Sequence, residues 1–106
     1  MTTGAFTVLA EPSRRAILDV LRDGDRSVGE LVAATAMSQP GVSKHLRVLR
    51  EAGLVHVRAD AQRRIYGLQP EPLFELDAWL EPYRALWSRR LDALEHHLDG
   101  QEDDPA

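Results

Sequence analysis

Two capped helical segments separated by about three residues constrain the fold of this chain more than any other feature. The first, "SVGELVAAT", opens with Ser27 and Glu30 in capping-box spacing, in which each side chain satisfies a backbone N–H of the first turn. The second starts after Ser38, a favourable N-cap, accepts Pro40 in its first turn and ends at Gly53. Two helices joined so closely predict a helix-turn-helix.

The second helix, predicted over residues 38–52, has two unlike faces. Its apolar face carries Val42, Leu46 and Leu49. On the opposite face, small residues at the start of the helix let it approach another surface closely, and its N-terminal amides attract an anion. This face fits the major groove of DNA, and the side chains predicted to enter the groove are Gln39, Ser43, Lys44 and Arg47, with Ser38 and Gly41 at the helix start.

A β-hairpin is predicted directly after these helices, over residues 55–68. Val55 and Val57 alternate with polar residues, a polar break follows at residues 60–62, and a second strand ends at Leu68. Three arginines on or beside the tip could reach DNA phosphates or an adjacent minor groove: Arg58, Arg63 and Arg64. A solvated hairpin is the alternative interpretation, which the neighbouring basic helix disfavours.

The formal net charge of −4 hides an uneven distribution. Residues 38–68 carry six Lys or Arg against two acids, whereas residues 69–106 carry three Arg against ten acids. A basic middle between acidic flanks is typical of a small anion-binding surface, although arginines also coat ordinary solvated helices. The chain has no cysteine, which excludes disulfides, thiolate metal sites and thiol redox switching.

Length and hydropathy favour one cytoplasmic domain. A chain of 106 residues suffices for a single modest core. Its start lacks the pattern of a signal peptide, and no apolar run approaches the roughly 18 residues of a membrane span. We expect a folded domain over residues 1–98, a disordered acidic tail over residues 99–106, and no cofactor.

Large apolar residues recur every three or four positions between Leu73 and Leu98. Pro82 interrupts the pattern, so we expect either a kink there or one helix ending near Leu80 and another starting at Pro82. The apolar stripe is wider than one small core needs, which predicts burial against a second copy of the chain. The predicted dimer interface consists of Phe6, Leu9, Trp79, Tyr83, Trp87 and Leu94.

The sequence resembles the ArsR/SmtB winged-helix transcriptional regulators. The motifs "LAEPSRRAILDVL", "VGELV", "MSQPGVSKHLRVLREAGLV" and "QRRIYGL" carry the resemblance, which covers nearly all of residues 5–98. It implies a mainly α (α+β) winged helix-turn-helix with a two-stranded β-hairpin wing and a C-terminal dimerisation helix. It further implies a homodimer that binds operator DNA and usually represses. The two-fold symmetry of such a dimer predicts that the operator is an imperfect palindrome. By motif position it assigns DNA contact to Gln39, Ser43, Lys44 and His45; a half-buried structural role is the alternative for His45.

Metal sensing, common in that family, has weak support in these residues. Val32 and Ala34 stand where the family's cysteine motif would lie, and Trp79 stands where an Asp-x-His pair would continue from Asp77. The stripe instead resembles a branch of the family with a "WLEPYxxxW" pattern and no metal ligands. A zinc-responsive repressor using Asp92 and His96, four apart on one helix, is the alternative.

Two other function classes remain to be weighed. An enzyme would need a convergent nucleophile and base, whereas Ser43 and His45 lie roughly 200° apart around their helix and no acid is placed to orient His45. A winged helix that binds only protein is the stronger rival, because a fold does not determine function. The local basic charge favours DNA. The effector, if any, cannot be read from the sequence.

Overall fold

The computed structural model describes residues 3–102, with side chains for residues 4–99. It divides into a winged-helix unit that ends at Leu76 and a C-terminal unit that begins at Asp77. In chain order the elements are α1 (Thr3–Leu9), α2 (Pro12–Arg22), β1 (Arg26–Ser27), α3 (Val28–Thr35), α4 (Gln39–Glu51), β2 (Val55–Asp60), β3 (Arg63–Leu68) and α5 (Glu71–Glu102).

The two helices of the helix-turn-helix begin and end as the sequence predicts. Glu30 N donates to Ser27 Oγ at 3.2 Å, and Ser27 N donates to Glu30 Oε1 at 2.8 Å, which completes the capping box of α3. Ala36 ends α3 in the left-handed conformation, with φ of 59°. Gly53, with φ of 76°, follows α4 and turns the chain so that Leu54 N donates to Leu49 O at 2.9 Å.

The wing hairpin is confirmed, and a third strand joins it. The strands are antiparallel in the order β1-β3-β2, and the hairpin register places Val55 opposite Leu68 and Asp60 opposite Arg63. Ala61, with φ of 56°, supplies the left-handed residue of the tight turn. The two residues of β1 pair with the middle of β3 and connect the wing to the start of α3.

The core of the winged-helix unit consists of apolar residues from α1 to α4 and from the start of the wing. Its buried members are Val8, Ile17, Leu18, Leu21, Leu31, Val42, Leu46, Leu49, Leu54 and Val55. Burying a leucine or isoleucine side chain contributes about 1.5–3 kcal/mol. These contacts hold α4 with one face inward and the other toward solvent.

In the C-terminal unit α5 does not break at Pro82, so the predicted start of a new helix there is wrong. The helix is continuous from Glu71 to Glu102 with Pro82 inside it. Arg84, just after the proline, forms ion pairs with Asp77 at 2.7 Å and with Glu81, both before it. These ion pairs connect the residues before Pro82 with those after it, at the point in the helix where proline lacks a backbone N–H donor.

The end of α5 also extends past the boundary expected for the tail. Residues 99–102 are helical, and the rest of the predicted disordered tail, residues 103–106, lies outside the described residues. Over residues 3–102, no helix is both long and apolar enough to cross a bilayer.

Candidate nucleic-acid interface

The outward face of α4 gathers the polar and basic side chains that the sequence singled out. Val42, Leu46 and Leu49 lie at 0–1% exposure on the core side. Because helix periodicity sends intervening residues the other way, the exposed side chains of the helix and its cap include Ser38, Gln39, Ser43, Lys44, Arg47 and Arg50. Within the part of the chain that the structure describes, Lys44, Arg47 and Arg50 form no ion pair, so their charges face solvent uncompensated.

At the start of α4, Gly41 has a local role. Gly41 N donates to Ser38 Oγ at 3.1 Å, which caps the helix. A Cβ at position 41 would lie 3.0 Å from that oxygen, closer than side-chain contacts normally allow. Glycine therefore leaves room for the cap, a reason for its presence that does not depend on DNA.

His45 occupies the half-buried position that the sequence left as its alternative. Arg14 Nε on α2 donates to His45 Nδ1 at 3.4 Å. The contact links α2 to α4.

The wing arginines differ in how they are compensated. Arg58 Nε lies 3.7 Å from Asp25 Oδ2, and Arg63 Nη2 lies 3.9 Å from Asp60 Oδ2. These pairs are exposed and therefore weak. Arg64 forms no ion pair among residues 4–99. All three guanidinium groups can therefore be recruited by a stronger anion such as a phosphate.

Arg50 was not identified from the sequence, and its position depends on packing. A surface cavity of about 330 Å³ at the junction of α4 and the wing is lined by Arg50, Val57, Arg58, Ala59 and Arg64. Three arginines from three elements thus surround one space, with no acidic side chain in its lining. The basic composition of residues 38–68 includes Arg50, but only the fold brings it beside the wing.

The residues predicted for the dimer interface are exposed to different degrees. Trp79, Tyr83, Trp87 and Leu94 are 50–66% exposed, Phe6 is 39% exposed, and Leu9 is half-buried against the core. The rings of Trp79 and Tyr83 lie with centroids 4.9 Å apart and their planes tilted by 35°. Large apolar side chains also exposed along this helix are Leu80, Leu86, Leu91 and Leu98.

Asp92 and His96 are exposed on the same helix. Among residues with described side chains, no three His, Asp or Glu groups lie close enough together to hold a metal ion. A metal site at Asp92 and His96 would therefore need further ligands from a second chain.

Known proteins resemble this chain in sequence and in fold. A family model described as "Bacterial regulatory protein, arsR family" matches residues 11–57, from the N-cap of α2 into β2. The HTH-type transcriptional regulator Rv2034 of Mycobacterium tuberculosis is 39% identical over 100 residues, which are 94% of this chain and 91% of that protein. This chain belongs to the ArsR family.

Other relatives agree with that assignment. The transcriptional repressor SdpR of Bacillus subtilis is 31% identical over 75 residues, 71% of this chain and 83% of the repressor. Among solved structures, an ArsR-like transcriptional regulator from Rhodococcus sp. RHA1 has a TM-score of 0.71 at 27% identity, covering 99% of this chain and 94% of that one. The fold is therefore the winged helix of ArsR-family regulators, and the protein is a DNA-binding transcriptional regulator.

Proposed function

We propose that the protein is a homodimeric repressor that acts in the cytoplasm on its own promoter and on neighbouring genes. The operator is an imperfect palindrome, with half-site centres ~10 bp, or a multiple of that, apart. The observation that carries the proposal is the exposed face of α4, where Lys44 and Arg47 stand without ion-pair partners beside a basic wing. Uncompensated cations on a helix held rigidly by a core suit a polyanionic duplex.

The two parts of the surface have separate roles. Gln39, Ser43 and Lys44 read base edges in the major groove, because their side chains leave the outward face of α4 near its N-terminus. Phosphates are neutralised by the arginines of α4 and the wing: Arg47, Arg50, Arg58, Arg63 and Arg64. Arg50 joins this set because it shares a cavity with two wing arginines.

The exposed apolar residues of α5 support the dimer. Trp87 is 66% exposed and Trp79 50% exposed, yet large aromatic residues are rarely left in water in such numbers on one helix. Pairing two chains would bury them and would place two copies of α4 about a two-fold axis. That symmetry predicts the palindrome.

Lys44 offers a direct test because it is the only lysine in the chain. An amine-acetylating reagent should modify one side chain, and operator DNA should protect that side chain from modification, as read by peptide mass spectrometry. The α-amino group serves as an internal control in each sample. Equal labelling of Lys44 with and without bound operator would show that α4 is not the reading helix.

Footprinting on the protein's own promoter tests the geometry. We expect two protected half-sites related by two-fold symmetry, and we expect Lys44→Ala to relax specificity by about 1–3 kcal/mol in competition against random DNA. Arg89→Ala, which removes one positive charge from α5, is the matched control and should retain specificity. An asymmetric footprint would contradict the dimeric mode of binding.

A further inference from the structure

A cavity of the winged-helix unit is lined by none of the residues assigned to DNA. It has a volume of about 270 Å³, near the lower end of the range for ligand pockets, about 300–1,000 Å³. Its apolar walls come from α1, α2, β3 and α5, and the residues are Leu9, Leu18, Leu68 and Leu73. We name it the leucine cavity. Leu18 is buried, and the other three pack against the core, so the space is formed before any ligand arrives.

The rim of the leucine cavity carries charge from one face of α2. Arg15, Asp19 and Arg22 follow one another at helical spacing, two cations against one anion. Arg15 Nη1 donates to Leu9 O at 2.7 Å, which fixes the side chain at the cavity and leaves its other N–H groups available. Among residues 4–99 Arg15 forms no ion pair, and Arg22 approaches only Asp23, at 3.8 Å.

We propose that the leucine cavity is an effector site that binds a small carboxylate with an apolar body, such as a monocyclic aromatic acid or a short-chain fatty acid. The apolar body would displace water from four leucine side chains, while the carboxylate accepts hydrogen bonds from Arg15 and Arg22. An apolar alcohol lacks the charge that the arginines attract. Acetate lacks the apolar body. The proposal rests on the proposed function, because its effect is read at the operator.

The cavity touches both elements that position the DNA-binding surface. From a neighbouring position on α2, Arg14 donates to His45 of α4. Leu68 is the last residue of β3 and lies opposite Val55 at the base of the wing. A ligand that moves α2 or Leu68 therefore changes the placement of α4 or the wing, and its differential affinity for the two arrangements sets the coupling.

The first arm of the test omits DNA. The full chain is titrated with benzoate and with hexanoate by calorimetry and by amide chemical shifts, with benzyl alcohol and acetate as comparison probes. We expect at least one carboxylate to bind, with shift changes centred on Leu9, Leu68 and Leu73. No binding of either carboxylate, or shift changes confined to other residues, would overturn the proposal.

Variants distinguish the contribution of the leucine wall to carboxylate binding from that of the charged rim. Leu73→Trp should fill the cavity and weaken carboxylate binding by about ten-fold or more. This is the loss in affinity expected when the apolar body of the ligand can no longer be buried. Arg15→Gln with Arg22→Gln are exposed changes that leave the fold intact and should remove the preference for benzoate over benzyl alcohol. Asp19→Asn should strengthen carboxylate binding, and Arg89→Gln should leave it unchanged. Unaltered affinity in the double arginine variant would overturn the proposal.

The second arm adds operator DNA. A saturating probe should change operator affinity by about five-fold or more, and operator should change probe affinity by the same factor. A probe that binds the cavity with no effect on operator affinity would overturn the effector role. Absence of operator binding in the probe-free protein would instead count against the proposed function, while the DNA-free titration would still report on the cavity.

Discussion

Helix α4 and the part of α5 in the C-terminal unit repeat apolar residues with the same spacing, but their apolar faces are not covered to the same extent. In α4, Val42, Leu46 and Leu49 are at most 1% exposed, because α2, α3 and β2 pack against this helix. In the C-terminal unit, Trp79 and Trp87 are 50% and 66% exposed, and the leucines beside them, Leu80 and Leu86, are 40% and 42% exposed. The periodicity predicts that each helix has an apolar face. It does not reveal whether that face is covered by the same chain or by another.

The largest expected effect comes from replacing one leucine in each of the two regions with alanine. Leu49→Ala should lower the free energy of unfolding by about 2–5 kcal/mol, because a fully buried leucine leaves a cavity. Leu91→Ala removes the same atoms from a side chain that is 54% exposed, so its cost should appear only where chains associate. Urea unfolding at several protein concentrations measures both. A concentration-independent loss for Leu91→Ala equal to that for Leu49→Ala would remove the distinction between the regions.

The next effect sharpens the comparison at the proposed dimer interface. Trp87→Glu should weaken association by at least about 2 kcal/mol, because a charge replaces an aromatic anchor. Light scattering should give a mass near twice 11.9 kDa for the wild type and near 11.9 kDa for the variant. Arg89→Glu, a charge change on a different side of the same helix from Trp87, is the control. A folded Trp87→Glu dimer would place the interface elsewhere.

Within the winged-helix unit, the helix caps could be predicted from the sequence, whereas one strand could not. The caps of α3 and α4 were predicted correctly because Ser27, Glu30 and Ser38 act on backbone groups within three residues of themselves. The strand β1 was missed because two residues cannot show alternation. Its existence depends on pairing Arg26 and Ser27 with Tyr66 and Ile65, about forty residues away.

At Pro82 and Arg50 the sequence reasoning falls short for two different reasons. Proline predicts a helix break, but helical sequence on both sides and the ion pairs of Arg84 accompany an unbroken helix. Arg50 lines a cavity together with two wing arginines only because α4 ends beside the wing, which no spacing within α4 encodes.

A third prediction compares two pairs of arginines, one on the wing and one on α5. The two arginines of each pair are adjacent in sequence, and the pairs carry equal charge. Replacing Arg63 and Arg64 of the wing with alanine should weaken binding to all DNA sequences alike and reduce the slope of log affinity against log salt by about two. Replacing Arg89 and Arg90 of α5 with alanine should leave that slope unchanged. Operator titrations at several salt concentrations measure it. Equal reductions in slope would mean that the whole chain, rather than the winged-helix unit, attracts DNA.

The smallest expected effect concerns the capping box and the pH dependence of the winged-helix unit. Ser27 donates a backbone N–H to the Glu30 carboxylate and also interacts with it through its hydroxyl, and these interactions lower the pKa of Glu30 below its ordinary value of 4.5. A lowered pKa in the folded state means that the charged form stabilises the fold. This contribution is complete above about pH 4.5 and is lost as the pH falls through the lower pKa of the folded protein.

Glu30→Gln keeps an acceptor at the same position but cannot be charged. The variant should therefore be less stable than the wild type near neutral pH, and the difference in Tm should shrink as the pH falls below about 4. Glu95→Gln, which removes one acid from α5 where it makes no hydrogen bond among the described residues, should show no such convergence. Thermal melts followed by circular dichroism across this pH range provide the measurement. A Tm difference for Glu30→Gln that stays constant with pH would mean that the carboxylate charge does not stabilise the start of α3, and that the capping box acts through geometry alone.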